Sequence, residues 1–268
     1  AAEAIAKISY FDPQNLAITA WAWATLGLMD EPLLTAIASA SITKIREFKS
    51  QELNNLVWAY ATLGVENRPL LDAIAAEALN KINDFNPQDI AVTALAFARL
   101  ALLHEDLMEA IAKEAIAKIR DMHSQELGNI SWAFAKLGVV NMPLLESIAS
   151  ESIRKLSDFS PQNITNTVWS FAKLNILDNP LMEAISAASL PKLRDFNPQN
   201  LSNTAWAFST LGVMNKTCLD ALAEEFISQI TSCETQAIAN TVWAFASLGY
   251  MHPPLLSSIA AEARRKIS

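Results

Sequence analysis

The chemistry-bearing feature of this chain is a set of amide side chains at a fixed interval. Gln14, Gln51, Gln88, Gln125, Gln162, Gln199 and Gln236 follow one another in steps of 37 residues. With that Gln as position 0, position +4 holds Asn55, Asn129, Asn166, Asn203 and Asn240, and Ile18 and Val92 fill the other two repeats. An amide donates and accepts at once. Such a row can therefore meet the edges of nucleobases, one repeat to one base, or ladder between neighbouring helices. Position +1 is polar and variable, with Asn15, Glu52, Asp89, Glu126, Asn163 and Asn200. Position +11 carries the cations Arg99, Lys136 and Lys173 in consecutive repeats, with Thr or Ser elsewhere. A base-reading position should vary between repeats, so +1 and +11 are the better candidates for discrimination. Six of the seven residues at +7 are Trp (Trp21, Trp58, Trp132, Trp169, Trp206 and Trp243), and Leu95 is the seventh. An indole can stack on a base, but Trp at helical spacing is more often core, and packing is the expectation here.

Nothing comparable points to catalysis. His104, His123 and His252 fall at cap or loop positions, and the HEDLM segment from His104 lacks the second His of a zinc motif. Cys218 and Cys233 occupy apolar slots of the repeat. On one helix they would lie about 20 Å apart, beyond the reach of a disulfide. Both are expected to be reduced core residues, which suits an intracellular, reducing compartment. Five of the six glycines stand at +13 and Gly128 is the sixth, so there is no Gly-rich phosphate loop. The acids show no convergent pair. The expectation is a non-enzyme with no catalytic residues, no metal, no cofactor and no small-molecule substrate.

Two helices per repeat must position these residues. Asp12, Asn86, Ser160 and Asn197 precede Pro13, Pro87, Pro161 and Pro198, the pattern of an N-cap followed by proline at the first helical position. Position +13 is Gly in five repeats, Ala101 in the third and Asn175 in the fifth, and it reads as a left-handed stop. Helix A is thus predicted over −1 to +12. A second cap at +16 (Asp30, Asn67, His104, Asn141, Asp178, Asn215, His252) opens helix B, which runs to about +31. The predicted fold is all-α: an α-solenoid superhelix of seven 37-residue helix-turn-helix repeats plus a partial N-terminal helix. Repeats begin near 12, 49, 86, 123, 160, 197 and 234, in a single array over 1–268 in which residues 1–10 end a preceding repeat. The helical opening AAEAIAKI suggests a piece of a longer chain.

On a helical wheel, +2, +5, +6, +9 and +12 form the apolar side of helix A, and small residues at +3 and +10 allow close helix packing. The window left over is predicted to hold 0, +1, +4, +8 and +11, a polar stripe over an alanine floor at +8. Position +30 is Lys44, Lys81, Lys118, Lys155, Lys192, Gln229 and Lys266, with Lys7 in the preceding repeat. This row suits a phosphate track. It also suits a structural role, because Glu3, Glu77, Glu114, Glu151 and Glu262 lie four residues earlier and the lysines sit in the last turn of helix B. The structural role is the stronger expectation.

The net charge of −8 argues against a strongly basic, sequence-blind nucleic-acid binder but leaves a local site open. No run of 18 apolar residues occurs, so no membrane span is expected. The repeat reads FxPQxLxNTxWAFxxLGV followed by PLLxAIAxEAIxKI. Over the whole chain it resembles the octotricopeptide and heptatricopeptide repeat families, and the 37-residue length favours the latter. That resemblance implies an organellar factor in a mitochondrion or chloroplast that binds single-stranded or ribosomal RNA on the helix A face. On this sequence that face maps to +1, +4 and +11. A protein-binding scaffold or structural subunit of a large organellar complex is the alternative, motivated by the acidic charge. The RAP domain that often accompanies such repeats has no counterpart in the chain.

Overall fold

The computed structural model describes residues 1–267. Among these, every regular element is helical. The first, α1, spans Ala2–Lys7. The A helices are α2 (Pro13–Thr25), α4 (Ser50–Leu63), α6 (Pro87–Arg99), α8 (Ser124–Leu137), α10 (Pro161–Lys173), α12 (Pro198–Leu211) and α14 (Thr235–Ser247). The B helices are α3 (Glu31–Lys44), α5 (Arg68–Lys81), α7 (Glu105–Ala117), α9 (Met142–Lys155), α11 (Asn179–Ser189), α13 (Lys216–Gln229) and α15 (Pro253–Ile267). The caps explain these limits. Asp12, Asn86, Ser160 and Asn197 each accept the backbone N–H three residues on, at 2.7 to 3.2 Å. Asp30, Asn67, Asn141, Asp178, Asn215 and His252 do the same for the B helices. His104 departs from the expectation: its ring makes no cap bond, and its Nδ1 is buried without a partner among the described residues.

Helix A ends at the left-handed residue in every repeat. The five +13 glycines have φ between 63° and 72°, and Ala101 and Asn175 adopt φ of 54° and 56°. The N–H of +14 then folds back onto the carbonyl of the +9 aromatic, as from Val213 to Phe208 at 2.8 Å. Helix B does not run straight into the next repeat. In α3, α5, α9 and α13 it ends at +30 and passes into a 3₁₀ turn, as at Ile82–Asp84, before an extended residue at −3. In the fifth repeat Pro191 stops α11 early, and the 3₁₀ segment lengthens to Leu190–Asp195.

The backbone forms two compact units, Ala1–Met122 with Lys136–Leu144, and His123–Ala135 with the residues from Leu145 onward. In the first, α2, α4 and α6 pack in series, as do α3, α5 and α7. In the second, α10, α12 and α14 form one row and α11, α13 and α15 the other. This serial packing of helical hairpins is the α-solenoid arrangement. In both units the A helices lie closer together than the B helices. From the second repeat on, the aromatic at +9 and the residue at −3 are buried, for example Phe97 and Phe85 or Phe208 and Phe196, whereas Trp23 and Phe11 of the first repeat are half-buried. Burial of each such side chain is worth about 1.5–3 kcal/mol, which no single hairpin can secure alone.

The +30 lysines close each repeat on itself. Lys44 Nζ donates to the carbonyls of Ser9 and Phe11 at 3.1 and 2.6 Å, and Lys118 donates to those of Asn83 and Phe85. Lys192 does the same at Ser157 and Phe159, both at 2.7 Å. The ammonium thus satisfies carbonyls at the end of the 3₁₀ turn, just before helix A. Glu77, Glu114 and Glu151 pair with Lys81, Lys118 and Lys155 at 2.8 to 2.9 Å. Where the lysine is replaced, Gln229 Nε2 still reaches the Phe196 carbonyl at 2.9 Å and Glu225 at 2.8 Å. The row is a structural clamp.

Two stability predictions follow from these positions. Ala101→Gly relieves a left-handed alanine and should stabilise the protein by about 0.5–1 kcal/mol net of glycine's entropy cost, read as a higher urea midpoint. Lys118→Met leaves Glu114 and two carbonyls without their cation and should cost about 2 kcal/mol in the same measurement, with Lys118→Gln costing less.

Candidate nucleic-acid interface

The side of helix A left uncovered is narrower than the wheel suggested, and it is turned. Gln at position 0 is exposed in all seven repeats. Asn55, Asn129, Asn166, Asn203 and Asn240 are half-buried, and Arg99, Lys136 and Lys173 are exposed. Position +8 is not a floor. Ala59, Ala96, Ala133, Ser170, Ala207 and Ala244 are buried, because the neighbouring A helix packs where the open surface was expected. At 100° per residue, 0, +4, +7 and +11 fall within about 60° of one another, whereas +1 and +8 lie to one side. The free stripe is therefore 0, +4, +7 and +11.

Position +1 turns out to serve the caps. Glu52 accepts the backbone N–H of Lys49 at 2.7 Å, and Glu126 accepts that of His123 at 2.9 Å. Asp89 and Asn200 close capping boxes with Asn86 and Asn197. Both are buried, and they also bind the preceding repeat. Asn54 Nδ2 donates to Asp89 Oδ1 at 2.6 Å, and Asn200 Nδ2 donates to Gln162 Oε1 at 3.3 Å. Asn163 donates to Ser124 Oγ at 3.1 Å. At Glu52, Asp89, Glu126, Asn163 and Asn200, the +1 side chains expected to discriminate bases are thus engaged in caps or in bonds between repeats. The polar ladder between helices likewise runs through +3 and +5. Thr93 Oγ1 donates to Asn54 Oδ1 at 2.7 Å, and Thr165 and Thr204 hydroxyls meet at 3.4 Å. At +4, Asn166 accepts from Gln162 within its own helix at 2.7 Å. Among the described residues, the side-chain amides of Asn55, Asn129, Asn203 and Asn240 make no intramolecular hydrogen bond.

The indoles, expected to be core, lie in this stripe as well. Trp58, Trp132, Trp169 and Trp206 are half-buried, while Trp21 and Trp243 are 43% and 50% exposed. In the first unit, Trp21 and Trp58 have ring centroids 6.3 Å apart, and Leu95 holds the next slot. In the second, Trp132, Trp169 and Trp206 form a row with centroids 6.4 Å apart at each step and interplanar angles of 28° and 35°. Each indole packs on its neighbour through one part and presents the rest to solvent. The signal was present in the sequence, since +7 shares its azimuth with 0, +4 and +11. It was masked by the general preference of Trp for interiors.

Shallow clefts open along the stripe in both units. One of about 330 Å³ lies between α12 and α14, lined by Gln199, Asn203, Gln236 and Asn240. Another of about 470 Å³ in the first unit is lined by Trp21, Trp58, Gln51, Asn55 and Gln88. No acidic side chain stands at 0, +4, +7 or +11 in any repeat. These four positions are thus neutral to cationic on a chain of net charge −8, while Asp89 and Glu234 stand at the edges of the clefts.

Other chemistry is quiet. Cys218 and Cys233 are buried free thiols. Burial pushes the Cys218 thiol up to about 12, with a hydrogen bond to Ser186 acting the other way. Burial raises Cys233 as well, opposed by the nearby Lys266 charge. Among the described residues no cluster of His, Cys, Asp and Glu could hold a metal ion, and no helix is long and apolar enough to cross a membrane.

Comparison with known proteins adds a family to this geometry. No curated protein matches the chain. A family model, that of the RNA-editing substrate-binding complex 6 protein (RESC6), matches residues 1–194. The match covers well over half of the sequence, α1 to α11 with their caps, clamps and stripe, and the chain belongs to the RESC6 family.

Proposed function

We propose that this chain is a non-catalytic RNA-binding component of an RNA-editing substrate-binding assembly. In this reading it holds single-stranded RNA on the 0, +4, +7 and +11 face of its A helices. The observation that carries the reading is the half-exposed indole row flanked by amides, most of them at +4 without an intramolecular partner, with no acid at 0, +4, +7 or +11 of an acidic chain. The family description supports RNA as the ligand class. Each indole offers a base a stacking surface worth about 1–3 kcal/mol. The amides at 0 and +4 meet base edges, and Arg99, Lys136 and Lys173 take phosphates. Asn recurs at +4 in five repeats, so discrimination between bases is modest and stacking supplies most of the affinity. On its 37-residue length the repeat is assigned to the heptatricopeptide type. The RNA-editing association of the family favours the mitochondrion over the chloroplast as the compartment.

A scaffold that binds protein is the second reading, and the net charge of −8 favours it. Fluorescence anisotropy with labelled single-stranded RNA of random sequence separates the two. The parent protein should bind with an affinity that falls as salt rises. Replacing Arg99, Lys136 and Lys173 together by Ala should lower the log–log salt slope by about 2, at roughly 0.7 per phosphate contact. Trp169→Leu, which copies the residue found at position 95, should weaken binding about tenfold without unfolding the protein. RNA affinity unchanged in both variants would leave the scaffold as the function.

A further inference from the structure

A second periodic surface lies away from the RNA stripe, on the edge formed by the loops between helix A and helix B. Position +15 is apolar in six of the seven repeats: Met29, Leu103, Val140, Leu177, Met214 and Met251, with Glu66 in the second. These six side chains are 46 to 77% exposed. The fold itself does not require them to be apolar. The turn that ends helix A is closed by +14, whose N–H bonds the +9 carbonyl, while +15 lies one residue beyond that closure. Single exposed apolar residues are ordinary, but a row confined to one position of a repeat is a surface.

An acidic row runs beside it. Position +21, on the first turns of helix B, is Asp72, Glu109, Glu146, Glu183 and Asp220 in consecutive repeats. Asp220 accepts from the Tyr250 hydroxyl at 2.7 Å. Among the described residues, Asp72, Glu109, Glu146 and Glu183 have no ion pair, and all four are exposed. The two rows share a cleft in the second unit. A hollow of about 260 Å³ is lined by Leu177 and Met214 from successive repeats, by Met182 and by Glu183. The first unit carries the same pattern at Leu103, Val140, Asp72 and Glu109.

We propose that this loop edge is a docking surface for a basic amphipathic segment of a partner protein, whose apolar side chains enter between the +15 residues and whose Lys or Arg side chains pair with the +21 acids. Charge complementarity selects the occupant. The acid row repels nucleic acid and anionic lipid, and it favours a cationic polypeptide. Met at several +15 positions suits a surface that adapts to its partner. The proposal stands apart from the RNA reading, because +15 and +21 contribute nothing to the 0, +4, +7 and +11 stripe. A chain with both faces would join RNA to protein.

The test uses the full chain and a labelled amphipathic helical peptide of Leu and Lys, with a Leu–Glu peptide of the same pattern as control. The Leu–Lys peptide should bind, and the Leu–Glu peptide should not. Leu177→Ser combined with Met214→Ser alters no charge and touches exposed positions, and it should weaken the Leu–Lys peptide at least tenfold. Glu146→Gln with Glu183→Gln should weaken it by a similar factor, and the loss should be smaller in high salt. Far-UV circular dichroism and the RNA affinity of the A face should stay unchanged in both double variants. Peptide binding that is insensitive to Leu177 and Met214 would overturn the proposal as non-specific charge attraction. Loss of RNA binding rather than peptide binding in these variants would assign the edge to nucleic acid and overturn it as well.

Discussion

The close approach of one A helix to the next is the constraint on which the rest depends. It is set by side-chain size. Position +10 is Ala in six repeats and Ser in the seventh, +8 is Ala or Ser throughout, and Gly128 at +3 packs against α10, where an added Cβ would make ordinary contact with the Asn163 backbone at 3.5 Å. Helices packed this closely bring residues at one position of successive repeats into contact. The indoles at +7 can then meet across repeats at 6.3 to 6.4 Å, stacked at Trp132–Trp169 and tilted at the other two pairs, which side chains on widely spaced helices cannot do. The B helices, whose buried faces carry Leu, Ile and Met, stand further apart.

The same spacing explains how polar groups are divided between structure and surface. Where helices touch, buried polar groups are costly unless partnered, and several are paired across repeats: Asn54 with Asp89 and Thr93, and Thr165 with Thr204. The Ser41, Ser152 and Thr210 hydroxyls and the His104 ring, by contrast, are buried without a partner among the described residues. Capping takes the side chains of Glu52, Asp89, Glu126 and Asn200 at +1, and the clamp takes the +30 lysines with the glutamates before them. Most amides at +4, and the cations Arg99, Lys136 and Lys173, are left unclaimed by the fold. Polar residues that a structure does not use for its own stability, repeated on one face beside exposed aromatics, form a surface suited to a ligand.

Acidic net charge and an RNA-associated family are reconciled by position. Most acids lie at caps, on the B helices and in the clamps rather than at the four stripe positions, and Asp89 and Glu234 are the acids that border its clefts. Overall charge describes the molecule as seen from afar. Recognition depends on the few ångströms above one face, where screening leaves only nearby groups in play.

Much of this was legible from residue types and spacing alone. The 37-residue period, the helix starts at Pro13, Pro87, Pro161 and Pro198, and the left-handed stops at +13 follow from local backbone chemistry, which a sequence states directly. Even Ala101 and Asn175 were read correctly as stops, because the repeat places them where glycine stands elsewhere. The 3₁₀ turn after helix B was not visible, since Ile-Asn-Asp or Ile-Arg-Glu carries no strong local signal. The identity of the free face was decided only by tertiary structure. A helical wheel orders residues by angle but does not say where the neighbouring helix will sit. That neighbour buried the alanines at +8, drew Asp89 and Asn200 into caps and cross-repeat bonds, and left Trp169 half open to solvent beside Asn166 and Lys173.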